Sequence, residues 1–258
     1  MKKTIILIAA LILLLPALGF SDMLTIRLGY YMPQAVTDSY LASHPDSLWA
    51  IEFGQTSLRP SDYRGSILGL GYEFFVSSRV SVALSVDYFD HENGGFYTSY
   101  VSNQLNEGVY AFPSNLYSGS DILQTFHVSM VPVELSLKLS PLGRRTRFIP
   151  YVGGGLGAYF VHAAIFGSII DFSQPATYAD PILGNITVYP VQGAAISETK
   201  LTLGGHAFAG VEFPIGYRMT LEAEARYRWV STTFSNFVGF GKFEMNGLTL
   251  SLGFNYWF

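Results

Sequence analysis

Residues able to do acid–base work recur along this chain at every second position. Glu222, Glu224, Arg226 and Arg228 alternate with Leu221, Ala223, Ala225 and Tyr227, which puts the charged side chains on one face of a strand and the others on the opposite face. Neighbouring alternating stretches add Arg27, Glu73, Asp87, His127, Glu134, Lys138, His206 and Glu212 to the same face. A pair of carboxylates in different environments could act as general acid and base. Here, however, both signs are mixed along the face, and a buried charge is tolerated only beside a partner. The expectation is a paired, structural lumen network rather than a catalytic centre.

Sets resembling a nucleophile, base and acid occur only near presumed rims: His91 and Glu92 with Ser99, and His162 with Ser168 and Asp171. Neither fits a known motif, so no catalytic residue is assigned and a lipid A-modifying enzyme is the weakest reading. The five histidines are dispersed without the close spacing of metal ligands, and the absence of cysteine excludes disulfides and thiolate-held metals. The glycines of Gly153–Gly157 do not sit between a strand and a helix, and they read better as close approach inside a crowded interior. No cofactor or metal is therefore expected. The formal charge of −4, or −6 without Lys2 and Lys3, argues against a nucleic-acid partner.

These side chains need elements to position them. Lys2 and Lys3, an apolar run to Pro16, and the small residues Ala17 and Gly19 make residues 1–21 a signal peptide, leaving residues 22–258 as one domain. The remainder alternates, with expected strands at 24–32, 63–76, 80–90, 122–140, 148–162, 200–213, 218–233 and 243–258. Long connections (33–62, 91–121, 163–199, 234–242) take turns with short ones (77–79, 141–147, 214–217). That sorting belongs to an outer-membrane barrel, whose periplasmic turns are short and whose outer loops grow. Hydrocarbon cannot satisfy an open strand edge, so the sheet must close. The expected class is all-β, an eight-stranded antiparallel up-and-down transmembrane β-barrel. The apolar stretch 151–170 is long enough for a spanning helix, but Pro150, its glycines, and Tyr159, Phe160 and Val161 favour a strand. At Val131–Pro132 the apolar parity slips, which suggests a bulge.

The stretches LTIRLGYYMP (24–33), LKLSPLGRRTRFIPYVGGGLGAYF (137–160) and EARYRW (224–229), with the ending Leu252, Phe254, Tyr256 and Phe258, resemble small eight-stranded outer-membrane proteins related to outer membrane protein W. The resemblance implies residence in the cell outer membrane among its lipids, and a terminal signal, those four residues, read by the barrel-assembly machinery. It further implies a narrow passage or lateral route for small hydrophobic molecules, without a cofactor. Phe75, Phe89, Phe208 and Trp257 fall on the inward parity. Segment 46–58, an amphipathic helix or an irregular loop, carries Trp49 and Phe53 as the point where hydrophobic molecules would be admitted. The long loops 91–121 and 163–199 depart from the family pattern. A structural or adhesion-type barrel acting through its outer loops is the alternative.

Overall fold

The computed structural model describes residues 22–34, 42–45, 47, 50, 54–105, 108–144, 146–237 and 241–258. The proposed signal peptide, Trp49 and Phe53 lie outside them. In chain order the strands are β1 (Asp22–Pro33), β2 (Gly65–Phe75), β3 (Val80–Leu105), β4 (Gly108–Pro113), β5 (Ser120–Leu139), β6 (Ile149–Ile170), β7 (Ala176–Asp180), β8 (Gly184–Pro214), β9 (Met219–Trp229), β10 (Ser231–Thr232), β11 (Phe243–Glu244) and β12 (Gly247–Trp257). Eight of them close a ring in the order β1, β2, β3, β5, β6, β8, β9, β12 and back to β1, every pair antiparallel.

Three short turns join one end of the barrel. Ser77 Oγ accepts the amides of Arg79 and Val80 at 3.2 and 3.0 Å. Gly143 takes the left-handed φ of +68° that a side chain would disfavour. Ile215 N–H returns to the Met219 carbonyl at 3.0 Å. At the other end the wall is uneven. β1, β2, β9 and β12 have 11 or 12 residues, whereas β3, β5, β6 and β8 have 20 to 31.

The expected loops 91–121 and 163–199 are therefore largely strand, which corrects the sequence reading. β4 pairs with β3 along Tyr100–Leu105 and with β8 at Tyr110 and Ala111, so β3, β4, β8, β6 and β5 close a second, smaller ring beyond the first. Its polar, Ser- and Gly-rich sequence hides this, because strands in water outside the bilayer need no apolar outer face. An inner aromatic cluster holds it: Tyr97, Ala111, Ile122 and Ile170 are buried, with Tyr100 and Tyr189 packed on them.

Two further expectations are corrected. No bulge occurs at Val131–Pro132: the register with β6 runs unbroken through Val131↔Phe160 and Pro132↔Tyr159. Pairing with β3 merely lapses opposite Asp87 and Tyr88, where Pro132 has no N–H to give. Phe126, Val128, Met130, Glu134, Ser136 and Lys138 all face inward. What changes there is the chemistry of the interior, apolar above and charged below. In consequence His127 lies on the outer face, bonded to Asp90, and not in the lumen.

Candidate functional site

The lumen network is assembled by inward parity on six strands. Arg27, Glu73, Glu134, Lys138, Glu212, Glu222, Glu224, Arg226 and Arg228 are all buried, as are Asp87 and His206. Their arrangement falls into two layers. In the upper one Glu134 is the hub: Oε1 accepts Arg228 Nε at 2.7 Å and the Tyr159 hydroxyl at 2.8 Å, while Oε2 accepts from Arg226 Nη1 and, at 3.2 Å, from Arg228 Nη2. Asp87 binds Arg228 Nη2 and Arg27. Glu224 takes Arg226 Nε at 2.9 Å and the Tyr151 hydroxyl at 3.1 Å. Arg228 also donates to Thr249 Oγ1 at 2.8 Å, tying β9 to β12.

In the lower layer Lys138 donates to Glu73 at 2.9 Å and to Glu212, and stands 3.8 Å from Glu222. Its ammonium also lies 3.9 Å from the Tyr151 ring centroid, a favourable cation–π approach in a dry interior. Such crowding requires absent side chains nearby. A Cβ on Gly69 would stand 2.1 Å from Asp87 Oδ1, and one on Gly153 would stand 2.4 Å from Phe208. The glycines of β6 are thus explained by close approach, as their sequence context suggests.

Interior voids at the charged layers measure about 20 and 10 Å³, room for a single water at most. Above them the lumen is filled by an apolar cluster in which the barrel supplies Tyr31, Phe89, Phe126 and Val128, while the connections between the short strands supply Leu58, Tyr63, Phe234 and Phe243. Tyr31 donates to the Met245 carbonyl at 2.5 Å, latching this plug to the wall. Of the aromatic lining expected from parity, Phe89 and Phe208 are buried; Phe75 and Trp257 pack on each other at 5.2 Å at the short-turn mouth.

The rim sets of Ser, His and acid do not come together. His91 and Ser99 are eight residues apart on β3, and His162 and Ser168 six apart on β6, separations of about 26 and 20 Å at strand rise. His162 Nδ1 instead meets Thr199 Oγ1 at 2.9 Å. Sequence reasoning missed a closer arrangement inside the lumen: Ser136 Oγ is 2.7 Å from His206 Nε2, and His206 Nδ1 is 3.8 Å from Glu134. Their order resembles a hydrolytic triad, but all three residues are buried, and none of them lines either of the small interior voids. The inward parity of residues 136 and 206 was the signal that could have paired them.

Outside, the barrel reverses a soluble protein. Leu28, Leu135, Leu156, Leu203 and Leu252 are exposed around its circumference while the charges are buried within, an arrangement stable only when hydrocarbon surrounds the outer face. No helix among the described residues is long and apolar enough to cross a membrane. No protein-family model and no curated protein matches the chain. Among solved structures it is similar to the outer membrane protein OprG of Pseudomonas aeruginosa, at 13% identity over 93% of this chain and 96% of that one, with a TM-score of 0.47. It is also similar to Neisserial surface protein A, at 11% identity over 92% and 97% with a TM-score of 0.43, and to Ail of Yersinia pestis, at 13% over 93% and 99% with a TM-score of 0.40. By its own ring closure and its inverted placement of apolar and charged side chains, the chain is an integral β-barrel of the small outer-membrane kind.

Proposed function

We propose that the protein is an outer-membrane barrel of the OmpW-like kind that takes up small hydrophobic molecules at its tall end and releases them sideways into the bilayer. The observation that carries this reading is the stacking of the interior, an apolar cluster above a sealed charged floor. A hydrophobic solute meets compatible surface only in the upper half, and passing the floor would mean separating buried ion pairs, which costs several kcal/mol. Beside the apolar cluster the wall is low, because β1, β2, β9 and β12 end there. In this reading the short turns face the periplasm, residues 1–21 are removed after export, and the partners are membrane lipid, the assembly machinery and the hydrophobic solute.

The test is uptake of a small hydrophobic probe. Trp49→Ala with Phe53→Ala should lower uptake without changing the yield of folded barrel, whereas Glu224→Gln with Arg226→Gln should harm stability more than uptake. Unaltered uptake in the first variant, with the protein fully assembled, overturns the reading. A second reading, a barrel acting through its outer extension, is favoured by the projecting upper ring, whose β7–β8 turn presents Ile182 at 92% exposure. Loss of cell attachment, but not of uptake, after Ile182→Ser with Leu183→Ser would select it.

A further inference from the structure

The short-turn mouth carries an arrangement that neither passage nor adhesion uses. The three turns there, residues 76–79, 140–148 and 214–218, hold in their sequence Arg79, Arg144, Arg145, Arg147 and Arg218 and not one acid, whereas the tall end holds Asp90, Glu92, Asp121, Asp171, Asp180 and Glu198. Two of the arginines, Arg79 and Arg144, border a cleft of about 630 Å³ with Ser77, Ser78, Leu142 and Trp257, within the size range of small-ligand sites.

Arg144 is only partly committed. It donates to Glu73 at 3.2 Å and to the Ser77 carbonyl at 3.4 Å, and its guanidinium lies 3.2 Å over the Phe75 ring, which leaves donors of its five-fold fork unspent. The second observation is independent of charge. The indole Nε1 of Trp257 is buried and has no hydrogen-bond partner among the described residues, although a buried indole N–H usually finds an acceptor. Cationic donors, serine hydroxyls and an unspent N–H around one concavity describe a receptor for an oxyanion. Arginine's planar fork suits the several oxygens of a phosphoryl group.

We propose that this cleft binds a phosphate-class oxyanion, with Arg79 and Arg144 supplying charge and Trp257 the neutral donor. Two sources share that chemistry, the headgroup of an anionic phospholipid in the surrounding leaflet and a free phosphate-bearing solute. The exposed Leu142 and Val76 on the rim offer apolar surface next to the cleft, as a lipid headgroup would require. The site stands on the barrel alone and does not depend on uptake of hydrophobic molecules.

The test uses the full barrel with Trp257 as the sole indole reporter, in a Trp49→Phe, Trp229→Phe background, titrated with inorganic phosphate in neutral detergent. Native mass spectrometry of the unaltered chain against phosphatidylglycerol and phosphatidylcholine runs in parallel. A Trp257 response to phosphate, or preferential retention of phosphatidylglycerol, is expected, and the pattern tells solute from lipid. Arg79→Gln should weaken binding about tenfold, the loss of one charge-assisted contact. Arg218→Gln removes the same charge from a turn outside the cleft and should change it less than about twofold. Equal losses in the two folded variants, or no response to either phosphate source, overturns the site.

Discussion

Glu134 shows how one side chain can hold a membrane protein's interior. Two guanidiniums, a phenol and, at 3.5 Å, the Ser85 hydroxyl converge on its carboxylate from three other strands. Removing that charge strands two buried cations. Glu134→Gln should therefore destabilise the barrel by about 3–5 kcal/mol, read by reversible urea unfolding in lipid vesicles. Glu222→Gln should cost clearly less, because among the described residues the one ion-pair partner within 4 Å of Glu222 is Lys138, at 3.8 Å, and its Oε1 accepts no hydrogen bond. Equal losses would show that the layers carry no hub. Parity alone identified nearly every member of this network, because a strand's period of two is strict. It could not reveal which acid meets which base, since that depends on the shear of the closed ring. His127 was misassigned for a related reason: its apolar neighbours Phe126 and Val128 face inward, where sequence patterning expected polar residues.

At the scale of elements, facing makes the sharpest prediction. Leu250 on β12 points out to lipid at 49% exposure, and Thr249 points in to Arg228. Leu250→Arg should cost about 2–4 kcal/mol if the position lies near the bilayer midplane. Thr249→Ser should be near neutral, because the accepting hydroxyl is kept. Folding into vesicles distinguishes the two, and equal effects would reverse the assignment of faces. The membrane strands were legible because lipid outside and a filled lumen inside impose complementary patterns. The upper strands were not, because water on their outer face removes one half of that pattern; Tyr97, Tyr100 and Tyr189 stand among serines, asparagines and glycines that read as loop.

The same upper ring gives a pH-dependent prediction. Asp180 accepts the Tyr117 hydroxyl at 2.6 Å and the amides of Ile182 and Leu183, each at 2.8 Å. These bonds, the Tyr117 hydroxyl foremost, hold its carboxyl below the ordinary range. A carboxylate with a depressed folded value stabilises the folded form above its unfolded pKa of about 3.9, and that contribution fades as the pH falls through the folded value. Acidification from pH 5 to pH 3 should thus raise hydrogen exchange at Ile182 and Leu183, relative to the lipid-embedded strands. Asp180→Asn should abolish that dependence. Unchanged exchange across this interval would show that the turn does not rely on the charge.

At the scale of the molecule, the fold distributes charge along its axis: acids at the tall end, balanced pairs within, arginines at the short-turn end. Deleting Phe258 should disturb the whole assembly rather than one strand, since its amide donates to the Asp22 carbonyl at 2.9 Å and helps join the last strand to the first. Loss of most heat-modifiable, protease-resistant barrel is expected, and normal amounts would sink the assignment of the terminal signal. The β1–β12 seam has a further consequence, in time rather than in space. Beside it, Tyr31 meets the Met245 carbonyl across 214 positions of sequence, so the contacts that shut the cylinder are among its least local. Closing so long a loop is slow, and its entropic cost is met before the pairing rewards it. The hairpins nearer the middle of the chain can pair while the C-terminus is still absent, but the seam exists only once the final strand arrives. Until that moment the protein has two open strand edges, each a row of unpaired N–H and C=O groups.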